Sequence, residues 1–203
     1  MISKIKNSKY YNSIKLIISI LIPLAFTVYN IVLGYMYDTL WNKSIFIYYI
    51  LLLLVRLILT IFLHIKNNII VKIIYTLSFI VLLLLNIALI VPSILMIESL
   101  KPINIGTIPS ITMATYTFYS ITTSIIEIKK YKNDNNILLK QLKLVSLINA
   151  IVSILSLQNT LIIVNGSMDN DMIILSIVST IALLLLILFL CFYSFIRVIK
   201  NNA

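Results

Sequence analysis

A chain of 203 residues that is 61% hydrophobic and only 11% charged, with mean hydropathy +1.10, leaves no room for a water-soluble domain, which carries about 45–50% apolar and ~25% charged residues. The net charge of +10 matches the Lys and Arg bias of cytoplasmic membrane loops rather than a nucleic-acid footprint, and no nucleic-acid partner is expected. Cys191 is the single cysteine, which excludes an internal disulfide and any cysteine metal cluster.

A bilayer core of about 30 Å needs roughly 20 apolar residues in a helix, and six segments meet that requirement. The first, Ile14–Tyr37, follows a Lys-rich start; its apolar run is too long for a secretory signal and no small-residue cleavage site follows it, so an uncleaved first helix is expected. The second, Ser44–Ile65, carries Arg56 near its middle. The third, Ile69–Ile97, is longer than a bilayer requires, and Pro92 near its outer end predicts a kink. The fourth is Gly106–Ile126, followed by the longest connection, Glu127–Lys143, with the polar stretch Lys132-Asn133-Asp134-Asn135-Asn136. The fifth is Leu144–Val164 and the sixth Met172–Ile199, whose stretch from Ile181 to Leu190 predicts a lipid-facing wall. The expected fold class is all-α: residues 1–203 form one polytopic bundle of six transmembrane helices with short connections.

Orientation follows from the basic residues. Lys4, Lys6, Lys9 and Lys15, then Lys66 and Lys72, then Lys129, Lys130, Lys132, Lys140 and Lys143, and finally Arg197 and Lys200 all fall on one side. The other side has Lys43 and Lys101, together with Asp38, Glu98, Asp169 and Asp171. Both termini are therefore expected inside. The basic connection predicts contact with anionic lipid headgroups at the cytoplasmic face. Tyr10, Tyr11, Tyr35, Tyr37, Trp41 and Tyr193 lie near span ends, where amphipathic rings sit at headgroup level.

Polar side chains gather in stripes at helical spacing. Tyr49, Arg56, Thr60 and His64 share a face of the second helix. Thr112, Tyr116, Tyr119, Thr123 and Glu127 form a stripe on the fourth, and Ser146, Asn149, Ser153, Ser156 and Thr160 one on the fifth. These faces are expected to turn toward one another, bonding across helices. At 1.5 Å per residue, Tyr116 lies near mid-membrane and Arg56 roughly 2 Å toward the cytoplasm, with Asn30, Asn86 and Gln158 about 4–6 Å outward. A fixed charge at that depth is unfavourable by at least ~2.5–3.5 kcal/mol and belongs against protein or water. No acidic residue lies at Arg56's depth, and Glu127 is expected in an exposed pairing with Lys130 or Tyr131.

No His-Glu-x-x-His, Gly-x-Ser-x-Gly, phosphate-binding loop or dinucleotide fingerprint occurs, so neither catalysis, a cofactor nor a metal site is expected.

Five stretches carry a resemblance: Tyr29-Asn30-x-x-Leu33-Gly34, Trp41-Asn42-x-Ser44, Tyr48-Tyr49-x-Leu51-Leu52-x-x-x-Arg56, Ala114-x-Tyr116-Thr117-Phe118-Tyr119 and Val152-Ser153-x-Leu155-Ser156-Leu157-Gln158. Together they resemble a family of small, uncharacterised integral membrane proteins of clostridia and related Firmicutes. The resemblance implies a multi-pass protein of the bacterial plasma membrane and brings no activity with it. The chain departs from that pattern at Glu127 and at Asn135-Asn136.

Two functions are consistent with these residues. One is a membrane-embedded small-solute binding or permeation protein in which Arg56 anchors an anionic or carbonyl group, Tyr49, Tyr116 and Tyr119 line the cavity, and Asn30, Asn86 and Gln158 add hydrogen bonds. The other is a non-transporting accessory or scaffold for a membrane-protein partner, in which the polar layer only fixes helix packing.

Overall fold

The computed structural model of the protein describes residues 9–63, 65, 67–98, 107–131, 136–165 and 170–202. It consists of the helices α1 (Lys9–Met36), α2 (Leu40–Phe62), α3 (Asn68–Ala88), α4 (Ile90–Glu98), α5 (Thr107–Lys130), α6 (Ile137–Asn165) and α7 (Asn170–Asn202). No strand occurs among the described residues. His64, expected at the cytoplasmic end of its helix, lies outside them.

Helix boundaries have local causes. Asn67 begins α3 by accepting from the Ile69 amide at 3.0 Å, and Asn136 begins α6 by accepting from the Leu138 and Leu139 amides at 3.0 and 3.2 Å. Both asparagines satisfy amides that have no partner within the helix. The third apolar run breaks after Ala88. Pro92 lacks the N–H that would reach the Ala88 carbonyl, and its ring crowds that same carbonyl. The expected kink takes the form of a one-residue interruption at Leu89, which keeps right-handed backbone and bonds the Leu85 carbonyl, with α4 restarting at Ile90.

Between α1 and α2 the chain reverses in three residues. Asp38 takes a left-handed φ of 48°, and the Thr39 amide bonds the Gly34 carbonyl at 3.1 Å. A Cβ at Gly34 would stand 2.9 Å from Lys43 Cγ and 3.0 Å from the Lys43 nitrogen, so the two helices approach through glycine's missing side chain.

α2 and α6 form the centre of the bundle. α6 packs on α5 most extensively and also on α2, α3 and α7, while α2 meets α1, α3 and α4. Trp41, Ile45, Leu52 and Leu59 of α2 join Leu142, Ile148 and Leu155 of α6 in one core. Trp41 is only 1% exposed, so it belongs to that core rather than to an interfacial belt; Tyr35 and Tyr193 are exposed.

Among the described residues, five helical stretches are long and apolar enough to cross a membrane: Ile17–Met36, Leu40–Phe62, Asn68–Leu95, Ile137–Ile162 and Asp171–Ile196. α7 is the least buried of them, showing Ile174, Val178, Ile181, Leu185, Phe189 and Ile196 on its surface. α5 has the length of a span but is too rich in Thr, Ser and Tyr to be among them.

Candidate functional site: a charged cleft beside Arg56

The polar stripes of α5 and α6 interlock. Thr117 donates to the Ser153 carbonyl at 3.0 Å and Ser124 to the Ser146 carbonyl at 2.9 Å. Asn149 donates both amide hydrogens to α5, at 2.8 Å to the Tyr116 hydroxyl and at 3.1 Å to Ser120 Oγ. From α2, Tyr49 shares a 3.2 Å bond with Ser156. Of the stripe expected on α5, Tyr116 bonds α6 while Thr112 and Thr123 donate within their own helix; Thr117, Ser120 and Ser124, outside that stripe, supply the other bonds, each worth about 0.6–2 kcal/mol in a membrane setting.

Toward the α5 C-terminal end this seam opens into a cleft of about 260 Å³, lined from α1 by Ile18, Ser19 and Pro23, from α2 by Arg56, and from α5 and α6 by Tyr116, Tyr119, Ser120, Thr123, Ser124, Ile126, Glu127, Ser146 and Asn149. Its polar wall follows α5 from Glu127 to Tyr116, about 16 Å at 1.5 Å per residue. The inner end is closed by aromatic rings. Phe26 of α1 stacks on Tyr116 with centroids 3.6 Å apart and planes 7° from parallel, and meets Tyr49 edge-on at 5.3 Å. Such pairs contribute about 0.5–1.5 kcal/mol each beyond their buried area.

Arg56 is 8% exposed. Its Nε is buried without a hydrogen-bond partner, although a guanidinium offers five donors. Glu127, Tyr116 and Tyr119 are its electrostatic neighbours. Thr60, one turn further along α2, donates to Arg56's carbonyl at 2.8 Å and so leaves the guanidinium untouched.

The structure corrects the expectation for Glu127. It is not exposed but 6% accessible, and it accepts from Lys143 Nζ at 2.8 Å, with both side chains largely enclosed. Lys143 also lies over the Tyr131 ring, 4.9 Å from its centroid. An acidic group therefore does share the cleft with Arg56, brought there because α5 and α6 run side by side through a short connection. The signal was present in the sequence: Lys143 continues the Ser146–Asn149–Ser153 stripe by one more turn. Pro23, Ser19 and Phe26 had no such signal, because no polar stripe on α1 runs through them.

Of the remaining expected residues, Tyr49 borders a small hollow that also touches Pro23, Arg56 and Asn149. Asn30, fully buried, donates to the Phe26 carbonyl of its own helix at 2.9 Å. Asn86 reaches the Leu184 carbonyl of α7 at 3.4 Å. Gln158 donates to Ser179 at 2.6 Å beside a separate apolar groove between α6 and α7. Arg56, Tyr116 and Tyr119 thus come together at the cleft, with Tyr49 adjoining, while Asn30, Asn86 and Gln158 do not line it. Among the described residues, no three His, Cys, Asp or Glu side chains gather as a metal site would require.

Fold and site together define an all-helical protein of membrane-compatible helices with a charged, one-ended cleft in its flank. Compared with known proteins, the chain matches no family model, no curated protein and no solved structure.

Proposed function

We propose that this is a non-catalytic integral membrane protein crossing the bacterial plasma membrane six times with both termini inside, and that its cleft binds a small anionic or carbonyl-bearing group at Arg56. Supporting a sixth crossing by α5 is the inward direction of five of its polar side chains. Tyr116, Thr117, Ser120, Ser124 and Glu127 are buried, while Ile108, Ile111, Phe118, Ile125 and Ile126 are exposed. The outer face mixes these apolar residues with exposed Thr115, Tyr119 and Thr122, and the Thr115 hydroxyl bonds the Ile111 carbonyl of its own helix, as a lipid-facing threonine would.

The observation carrying the binding role is a buried guanidinium whose Nε has no partner, beside an open polar cleft. A buried donor left unsatisfied is unfavourable by about 1–3 kcal/mol, more when charged, and an acceptor brought by a ligand removes that penalty. Removing the charge should weaken binding by roughly 10–100-fold, as expected for a charge-assisted hydrogen bond. The test is a thermal-shift and equilibrium-binding screen of carboxylates, phosphates and amides against purified protein, its Arg56→Leu variant and its Arg56→Lys variant. Loss in Arg56→Leu with partial retention in Arg56→Lys, which keeps charge but not the planar fork, is the expected result.

The accessory reading has its own support in the α5–α6 seam, whose polar groups bond each other without Arg56. It takes over if no compound in the screen binds and Arg56→Leu chiefly lowers the melting temperature.

A further inference from the structure

The direction in which the cleft opens narrows its ligand class, a step that rests on Arg56 being a ligand-binding residue. α1 and α5 supply the two walls of the mouth, yet among the described residues their backbones scarcely pack on each other. They are bridged at the inner end by the Phe26–Tyr116 stack. The side chains around the mouth are exposed and apolar: Ile17, Ile18 and Leu21 on α1, Ile125 and Ile126 on α5. In a bilayer those residues meet acyl chains, so the gap between α1 and α5 opens sideways into lipid. A ligand with a polar head and apolar tails satisfies both surfaces at once, whereas a wholly water-soluble anion leaves the rim uncovered.

Charge selects among amphiphiles. The Glu127–Lys143 pair is neutral overall, which leaves the single positive charge of Arg56 to be met. The Tyr116 hydroxyl is already engaged, accepting from Asn149 at 2.8 Å with Ser120 as a further partner, so Arg56 is the group left to meet a ligand. Arg56 is six residues before Phe62, the last residue of α2, about 9 Å along the helix. Exposed Lys129 and Lys130 end α5 at the same side of the cleft and favour anionic headgroups there. We propose that the cleft binds one anionic glycerophospholipid from the surrounding leaflet, its phosphodiester on Arg56 and its chains leaving through the gap between α1 and α5.

The test is native mass spectrometry of the delipidated full chain titrated with phosphatidylglycerol, phosphatidylcholine, inorganic phosphate or glycerol phosphate. One phosphatidylglycerol per chain is expected, held at least about tenfold more tightly than phosphatidylcholine and weakened about tenfold or more by Arg56→Leu. Excess glycerol phosphate should not displace it. Should Arg56→Leu not fold, Thr123→Phe decides. It fills the cleft from a half-buried position whose hydroxyl bonds only its own helix, and it should abolish the lipid adduct while preserving helicity and melting temperature. Retention of the adduct in that variant, or equal binding of the two lipids, overturns the proposal. Arg56-dependent binding of glycerol phosphate or inorganic phosphate without lipid binding overturns the lateral lipid site but leaves the Arg56 reading standing. If neither lipid nor soluble anion binding depends on Arg56, both fall.

Discussion

At the residue scale the cleft is organised by three charges of unequal legibility. Arg56 declares itself in the sequence because no other charged residue interrupts the run from Ser44 to Leu63. Glu127 and Lys143 look like loop charges until α5 and α6 pair and enclose them. Breaking a buried pair by removing one partner leaves the other charge uncompensated and typically destabilises by about 3–5 kcal/mol. Glu127→Gln and Lys143→Met should each lower stability by roughly that amount, while the double variant recovers most of the loss. Chemical-denaturation midpoints of the four proteins measure this cycle, and additive losses would show that the pair does not act as a unit. Asp38 is the contrasting case. Its carboxyl is fully exposed, and the Lys43 ammonium beside it holds it below the usual carboxylate range through a hydrogen bond and charge attraction. A depressed folded-state value means that its contribution is complete above the unfolded value of about 3.9 and disappears as pH falls through the folded one. Melting curves of wild type and Asp38→Asn should therefore differ slightly near neutral pH and converge in acid.

At the element scale, single residues decide where helices stop and how closely they meet. Pro92 determines the division between α3 and α4 through its missing donor to Ala88, which sequence spacing predicts. Gly34 is different, because nothing near it in the sequence announces that Lys43 will lie against its Cα. Gly34→Ala gains helix propensity of about 1 kcal/mol but drives a methyl to 2.9 Å from Lys43 Cγ and 3.0 Å from its backbone nitrogen. Overpacking of that kind is unfavourable by about 1–3 kcal/mol, so a net loss of stability is expected, growing sharply in Gly34→Leu. Unfolding midpoints equal to or above wild type would mean that the α1–α2 approach has slack. α5 shows how an element can be misread by averaging: its composition is polar, and α6 answers Tyr116, Thr117, Ser120, Ser124 and Glu127, while Thr112, Thr115 and Thr123 bond their own helix.

At the scale of the whole molecule, the proposed six-span arrangement makes a prediction about sidedness. A C-terminal fusion to a fluorescent protein should glow in bacteria, and a C-terminal phosphatase fusion should be inactive, because both ends lie inside. In a Cys191→Ser background, a cysteine at Asp171 should react with an impermeant thiol reagent applied from outside, and one at Lys130 should not. Labelling of Lys130→Cys from outside would invert the arrangement and place the cleft's mouth in the other leaflet.

What the sequence determined by itself was the all-helical architecture, the positions of the most apolar helices, the irregularity one turn before Pro92 and the singular status of Arg56. These follow from local quantities: hydropathy, helical period, a missing amide hydrogen and the energetic penalty of a buried charge. Only the tertiary structure decided that Glu127 is buried against Lys143, that Phe26 closes the cleft on Tyr116, that Trp41 belongs to the core, and that Asn30, Asn86 and Gln158 lie away from the site. Each of those depends on which helices are neighbours and how they are rotated. Such choices are made by packing between segments far apart in the chain, for which a stripe on one helix supplies only half of the contact.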